Sequence, residues 1–234
     1  MTQPPRAAGA ALSFIERDAG QAFEVLHQGG IAVLPMDVGY SLIGGSAAAL
    51  KRIFDTKGRS SSKLNAMLGH DAIAREVLDL SPRGWDVYDV IVHGYDLPLG
   101  AVGPCRLDHP LLQALEPDAL SMSTLNATVC MLVNAGPFHA ALCDLSLRHS
   151  HPLFGSSANL SLKGTRFRVQ DIEPEVLAIA DVVIDHGLRK YHGYRASSTL
   201  LDMDTLEVLR HGACFDLIAD LVQRHFGVTL PGPA

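Results

Sequence analysis

The residues best suited to chemistry in this 234-residue chain stand together at positions 57 to 63, Lys57-Gly58-Arg59-Ser60-Ser61-Ser62-Lys63. Three cations and three hydroxyls on a glycine-containing turn make an anion cradle. Arg offers a planar fork to phosphate or carboxylate, Lys a mobile point charge, and hydroxyls and backbone amides the remaining donors. The plain alternative is a solvated turn closing a helix, where cations also suit the negative end of the macrodipole. Much later, Ser157-Ala158-Asn159 ends an apolar run; it reads as a ligand-contacting turn or as an ordinary helix cap, for which Ser and Asn are preferred. Ser198 and Thr199 fit a strand by propensity alone, and Arg210 fits a surface ion pair. Arg195 closes a polar loop, Leu188 to Arg195, that carries two Tyr, two Arg and a Lys. Asp37 and Tyr40 flank a turn, where a turn-forming Asp and a packed Tyr are the commoner roles.

Other chemistries lack their residues. None of the eleven histidines forms the i, i+4 pair of a zincin helix, and His109, His149, His151, His186 and His192 read as solvated loop residues. Cys105, Cys130, Cys143 and Cys214 are scattered without metal or redox spacing, which fits reduced, mostly buried thiols in a cytoplasmic protein. No G-x-S-x-G, P-loop or G-x-G-x-x-G occurs, so serine hydrolase, P-loop kinase and Rossmann dehydrogenase readings have no support. A formal net charge of −6 and a pI near 6.0 argue against broad nucleic-acid binding, which needs many phosphate-neutralising cations on one face. No apolar run approaches the ~20 residues of a membrane span, and the N-terminus lacks the apolar core of a signal peptide.

The elements that must position these residues follow from periodicity. Residues 1 to about 11 read as a frayed or disordered tail, 12–228 as a single domain, and 229–234 as a C-terminal tail. Ser13 and Glu16 are spaced as a capping box, and Ile15, Ala19, Ala22, Phe23 and Leu26 recur at helical spacing until Gly29. Ile31 to Leu34 and Tyr40 to Ile43 read as strands joined by the Asp37–Gly39 turn, and Ser46 as the N-cap of a helix through Phe54. Ala66 to Leu68 is a strand and His70 to Leu80 a helix. Asp86 to His93 reads as a strand on Val87, Val90, Ile91 and Val92. Beyond it Gly94, Pro98, Gly100, Gly103, Pro104 and Pro110 break the pattern into loops. Thr128 to Val133 is a buried-type strand, Pro137 to Leu147 a helix, and Leu153 to Ser156 the strand delivering Ser157. Ile172 to Ile179 reads as helix and Val182 to Ile184 as strand. Ser198 to Leu201 with Leu206 to Leu209 makes a hairpin, and Phe215 to Phe226 is a closing amphipathic helix.

Taken in order, these segments resemble the YrdC/YciO family, whose best-known members are threonylcarbamoyl-AMP synthases. Gly29-Gly30, Pro35-Met36-Asp37, Tyr40-Ser41-Leu42 and Lys57-Gly58-Arg59 match its opening Gly-Gly, Pro-Thr-(Glu/Asp), Tyr-Gly-Leu and Lys-x-Arg. Ser157-Ala158-Asn159-Leu160-Ser161 matches its Ser-Ala-Asn-x-Ser. Ser198-Thr199-Leu200-Leu201-Asp202 matches its Ser-Thr-Val-Val-Asp, and Leu209-Arg210-His211-Gly212 its Leu-Arg-Pro-Gly. The chain departs from the pattern at Met36, where the family has Thr, and at Leu64-Asn65, where it has Pro-Leu. It departs again at Cys130 to Asn134, which lack the Arg of Gly-Val-Arg-x-Pro. Only Gly103-Pro104 remains of Pro-Gly-Pro-x-Thr.

The resemblance implies an α/β fold of the YrdC-like kind, a twisted, mixed, open sheet flanked by helices with a concave cationic cavity. It also implies synthesis of a carbamoyl-type adenylate from an amino acid, bicarbonate and ATP, with Mg2+ bridging the phosphates and a separate tRNA-modifying transferase taking the product. On that basis Lys57 and Arg59 are the expected catalytic and nucleotide-binding cations. Ser157, Asn159, Ser198, Arg195 and Arg210 are further nucleotide contacts, and Asp37, Tyr40 and Thr199 line the acceptor side. Two other readings stand beside it: an adenylating or carbamoyl-transfer enzyme with another acceptor, and a non-catalytic module binding nucleotide or structured RNA.

Overall fold

A computed structural model describes residues 6–58 and 64–233. The chain begins with α1 (Arg6–His27), then β1 (Ala32–Met36), β2 (Gly39–Gly44), α2 (Ala47–Lys57), β3 (Ala66–Leu68), α3 (Asp71–Val77) and α4 (Pro82–Asp89). There follow β4 (Leu99–Pro104), α5 (Pro110–Gln113), α6 (Pro117–Ser121), β5 (Thr124–Leu125), β6 (Thr128–Val133), α7 (Pro137–Arg148) and β7 (Phe154–Ser157). The last part holds α8 (Pro174–Leu177), β8 (Val182–Val183), β9 (Leu200–Asp202), β10 (Val208–Arg210) and α9 (Phe215–Phe226).

The described strands form one mixed sheet in the order β10-β9-β4-β6-β3-β7-β2-β1-β8, with β5 hairpinned onto β6. β1 and β2 are buried at every position, as strands covered on both faces must be. On α1, Ala19, Ala22, Phe23 and Leu26 are buried, and this apolar stripe packs on α7 and β1. A fully buried side chain such as Leu26 or Phe154 stabilises by about 2 kcal/mol through the water it sheds.

Three sequence expectations fail for physical reasons. The capping-box start at Ser13 does not hold, because α1 already runs from Arg6. Asp86 to His93 is not a strand: α4 starts with Ser81 accepting from Gly84 N at 3.1 Å, has Pro82 at its head, and passes into a π-helical turn, Val90–Gly94. Its buried Gly84, Val87, Tyr88 and Ile91 recur at the helical i, i+3, i+4, i+7 positions, and that spacing outweighs the β-branched composition. The Gly- and Pro-rich stretch beyond it is no loop. Its β4 lies inside the sheet, antiparallel to β6 and parallel to β9. Gly100 is required there because a Cβ would stand 2.1 Å from the Leu200 side chain.

Candidate nucleotide and acceptor site

The end of α2 and the end of β7 meet. Ser46 caps α2, accepting from Ala49 N at 3.2 Å, and Gly58 closes it in the left-handed conformation (φ 56) that glycine adopts without strain. Lys57 is thereby the last helical residue. Its side chain is buried and its Nζ donates to the Ser157 carbonyl, while its own carbonyl accepts from Ser161 N at 3.2 Å. β7 is held between β2 and β3, with Ser157 opposite Ser41. Ala158 N then donates to the Tyr40 carbonyl at 2.7 Å.

No helix follows Ala158; a turn does, so Ser157-Ala158-Asn159 is not a helix cap. Asn159 is buried and its Nδ2 donates to Leu160 O at 2.6 Å. Asn159 Oδ1 and Ser156 Oγ are buried with no hydrogen-bond partner among the described residues. Each such atom costs about 1–3 kcal/mol, a cost that a ligand with matching groups removes. Arg59 and Lys63, with Ser60 to Ser62, lie outside the described residues.

A second group gathers on Asp37. Its carboxylate accepts from Arg189 at 3.1 Å, and Lys190 Nζ stands 4.0 Å away. Arg189 also donates to the Met36 and His186 carbonyls, so the guanidinium is fixed from three sides. Burial pushes the Asp37 pKa up against the opposing pull of Arg189 and Lys190. For Lys190, burial works against the ammonium, but Tyr191, Asp37 and Asp96 outweigh it and raise its pKa. Tyr40 is completely buried rather than at a cavity mouth. Its hydroxyl donates toward Asp185 Oδ1 (2.8 Å) and the Gly187 carbonyl (2.9 Å) and accepts from His186 N. It braces the loop that delivers Arg189.

Beside Asp37 lies a hollow of about 250 Å3 lined by Asp96, Asn134, Gly136, Lys190 and Tyr191. Its charge is mixed. Gly136 (φ 103) is needed here, since a Cβ would come within 2.5 Å of the Asp37 carboxyl carbon.

The third group, at β9 and β10, is a clasp. Arg210 donates to the Ser198 carbonyl at 2.7 Å and to its hydroxyl at 3.3 Å. Thr199 is fully buried, its hydroxyl donating to Ala213 O and accepting from Gly212 N. That hydroxyl is already engaged, and the expectation that it contacts substrate gives way to a structural role. Gly212 allows the clasp, because a Cβ would stand 2.3 Å from the Ser197 carbonyl. Arg195 is exposed, in the left-handed region (φ 53).

The structure therefore joins Lys57, Ser157 and Asn159 in one place and Asp37 with the Arg189–Tyr191 segment in another, linked through Tyr40. The same segment runs on to Arg195 and Ser198. Sequence reasoning missed Arg189, Lys190, Asp96 and Asn134. The polar loop was visible, but its register was not: Arg189 points to Asp37, and Arg195 to solvent. The loop histidines are not simply solvated either; His186 pairs with Asp18 at 3.0 Å and His151 packs against His27.

The family model for Sua5, YciO and YrdC proteins, described as "Telomere recombination", matches residues 24–212. The chain belongs to the Sua5/YciO/YrdC family. Among solved structures it is similar to a double variant of P. abyssi Sua5, at 19% identity and a TM-score of 0.71, covering 94% of this chain and 59% of that one. The P. abyssi Sua5 complex with L-threonine gives 19%, 0.67, 92% and 59%. E. coli YciO gives 18%, 0.66, 84% and 90%. At these identities the likeness shows the fold: a twisted mixed sheet flanked by helices. The chain spans 59% of the length of the Sua5 chains it matches. No curated protein matches it. Among the described residues no helix is long and apolar enough to cross a membrane.

Proposed function

We propose that the protein makes a carbamoyl-type adenylate from ATP, bicarbonate and an amino acid, in the simplest case threonylcarbamoyl-AMP, and releases pyrophosphate. The acceptor amine and bicarbonate condense to an N-carboxylate with loss of water. A carboxylate oxygen attacks the α-phosphorus, and the bond from that phosphorus to the oxygen bridging the β-phosphate breaks. Both reactants are anions, so the site has to supply fixed positive charge and donors where charge builds.

The observation that carries the reading is the meeting of Lys57 with the β7 turn, beside the unpartnered Ser156 hydroxyl and Asn159 amide oxygen. In this reading Lys57 and Arg59 neutralise the phosphates, Ser157 and Asn159 orient the nucleotide, and Asp37 with Lys190 faces the acceptor. Ser198, Arg195 and Arg210 stand on the segment that follows, with Arg195 free to turn inward only if the loop moves. Magnesium would be brought by ATP itself and would offset the charge of its phosphates. The product passes to a separate tRNA-modifying transferase, a cytoplasmic step that needs no RNA-binding face on this chain.

Pyrophosphate release from ATP and bicarbonate, assayed across the amino acids, tests the proposal. Release with threonine upholds its simplest form, and release with another acceptor upholds the divergent form. Tight nucleotide or RNA binding without release with any acceptor overturns both in favour of a binding module.

A further inference from the structure

The segment from Asp185 to Arg195 carries no strand, and its one regular piece is the 3-10 turn His192–Tyr194. Yet it sets two cations against Asp37, Arg189 at 3.1 Å and Lys190 at 4.0 Å. Its middle is held by backbone bonds, from Arg189 N to the Phe167 carbonyl (3.1 Å) and from Tyr191 N to the Asp37 carbonyl (3.0 Å). Its start turns on His186, whose N–H donates to the Tyr40 hydroxyl (3.1 Å) and whose carbonyl accepts one of the Arg189 guanidinium bonds (3.1 Å).

The His186 imidazole reaches away from this hub to α1. Its Nε2 stands 3.0 Å from Asp18 Oδ2, and the two side chains are only 13% and 12% exposed. A carboxylate only accepts, so Nε2 carries the proton. The ring lies between Phe14 of α1 (5.1 Å) and Phe138 of α7 (5.4 Å, edge-on), aromatic walls that fix its plane. The other Asp18 oxygen accepts from the exposed Arg17 at 3.2 Å. Neither Asp18 nor His186 lines the hollow beside Asp37, so any effect they have on it passes through Arg189 and Lys190. We infer that Asp18 and His186 are positioning residues for the acceptor side: their bond latches the Asp185–Arg195 segment to α1 and so sets where Arg189 and Lys190 stand against Asp37. The inference rests on the carbamoyl-adenylate reading and adds to it the contact that holds its acceptor side in place.

The test compares Asp18→Ala with Asp18→Asn, which keeps an acceptor for Nε2, in pyrophosphate release with the acceptor amino acid that the parent uses best. Asp18→Ala should raise the KM of the amino acid about tenfold or more, since small misplacements made far from the chemistry are costly. The KM of ATP should stay near its parent value, and Asp18→Asn should lie closer to the parent than to Asp18→Ala. A bond that only stabilised the fold would lower the melting temperature and move neither KM. An unchanged amino-acid KM, or an equal rise in both, overturns the inference and leaves the carbamoyl-adenylate reading standing. Should no amino acid support release in the parent, that reading fails and limited trypsin digestion decides the inference alone. Cleavage after the exposed Lys190 should then quicken about tenfold in Asp18→Ala through local opening of the segment, with cleavage after the exposed Lys51 of α2 at its parent rate. An unchanged rate at Lys190, or the same quickening at Lys51, overturns the latch. If Asp18→Ala does not fold, Phe14→Ala, which trims only the half-exposed ring over His186, runs the same comparison.

Discussion

The region around Lys57 and the region around Asp37 are fixed by different physics. Around Lys57 the backbone holds the geometry: a capped helix end, a strand between two ladders, and an ammonium on a carbonyl. Around Asp37 side chains hold it, through a buried ion pair to Arg189, 152 positions away, and a tyrosine hydroxyl on Asp185, 145 positions away. Backbone geometry survives most substitutions. A buried ion pair does not survive the loss of one partner, because the other is left charged and unsolvated. The Lys57 region can therefore stay constant while the Asp37 region is rebuilt residue by residue, and this chain keeps Lys57-Gly58-Arg59 but has Met36 beside Asp37.

The sharpest break of that contrast is at Lys57. Lys57→Met keeps the packed stem and removes the charge, and should slow pyrophosphate release about a thousandfold, the upper range for a lost transition-state donor. The far-UV circular dichroism should not change; near-normal turnover would remove the α2 end from the mechanism. Next, Arg189→Met should destabilise by about 3 kcal/mol in urea unfolding because Asp37 is stranded, while Asp37→Asn in the same chain restores part of the loss. A loss below about 1 kcal/mol would class the pair with exposed salt bridges and dissolve the difference between the two regions. On the proposed reading, ATP affinity should stay near that of the parent in Arg189→Met, since the Lys57 region does not depend on this pair.

His139 sharpens the comparison through pH. It lies in the first turn of α7 and is fully buried with Nε2 on the Leu132 carbonyl. Burial pushes its pKa down to about 4 from 6.5. The unfolded chain thus takes up this proton at higher pH than the folded one, so the stabilising contribution is full above pH 6.5 and is lost as pH falls toward 4. From pH 7 to pH 5 that amounts to about 2 kcal/mol, at roughly 1.4 kcal/mol per unit. Urea unfolding at the two pH values checks it, and His139→Gln, which keeps a donor for Leu132 O, should flatten the difference.

Local signals in the chain carried most of the first region and little of the second. The Ser46 cap and the strand leading to Ser157 are each set by neighbouring residues and the structure has both, while α2 runs past the expected end at Phe54 to Lys57. α9 ends where periodicity put it, at Phe226. By contrast, nothing local tells Arg189 from Arg195, since their roles depend on where a distant turn places Asp37. β4 was hidden for a related reason: its glycines answer the close approach of Leu200 and Leu80, from parts of the chain far away in sequence. Asp96 and Asn134 were equally mute, because the hydrogen bond from the Asn134 amide to the Asp96 carboxylate (2.9 Å) exists only after β6 and the α4 end are brought together.

The smallest effect lies at the edge of the Lys57 region. Leu162 is 92% exposed and left-handed (φ 67), one residue after Ser161 donates to the Lys57 carbonyl. A leucine loses about 1–2 kcal/mol in that conformation, and an exposed one regains nothing by packing. Glycine adopts it freely but carries more chain entropy to lose on folding, at about 0.5–1 kcal/mol. The strain term is the larger, so Leu162→Gly should stabilise by about 0.5–1 kcal/mol in urea unfolding, with pyrophosphate release unchanged. If stability rises and release falls, the backbone around Lys57 does not suffice for turnover, and an apolar contact from Leu162 takes part in it as well.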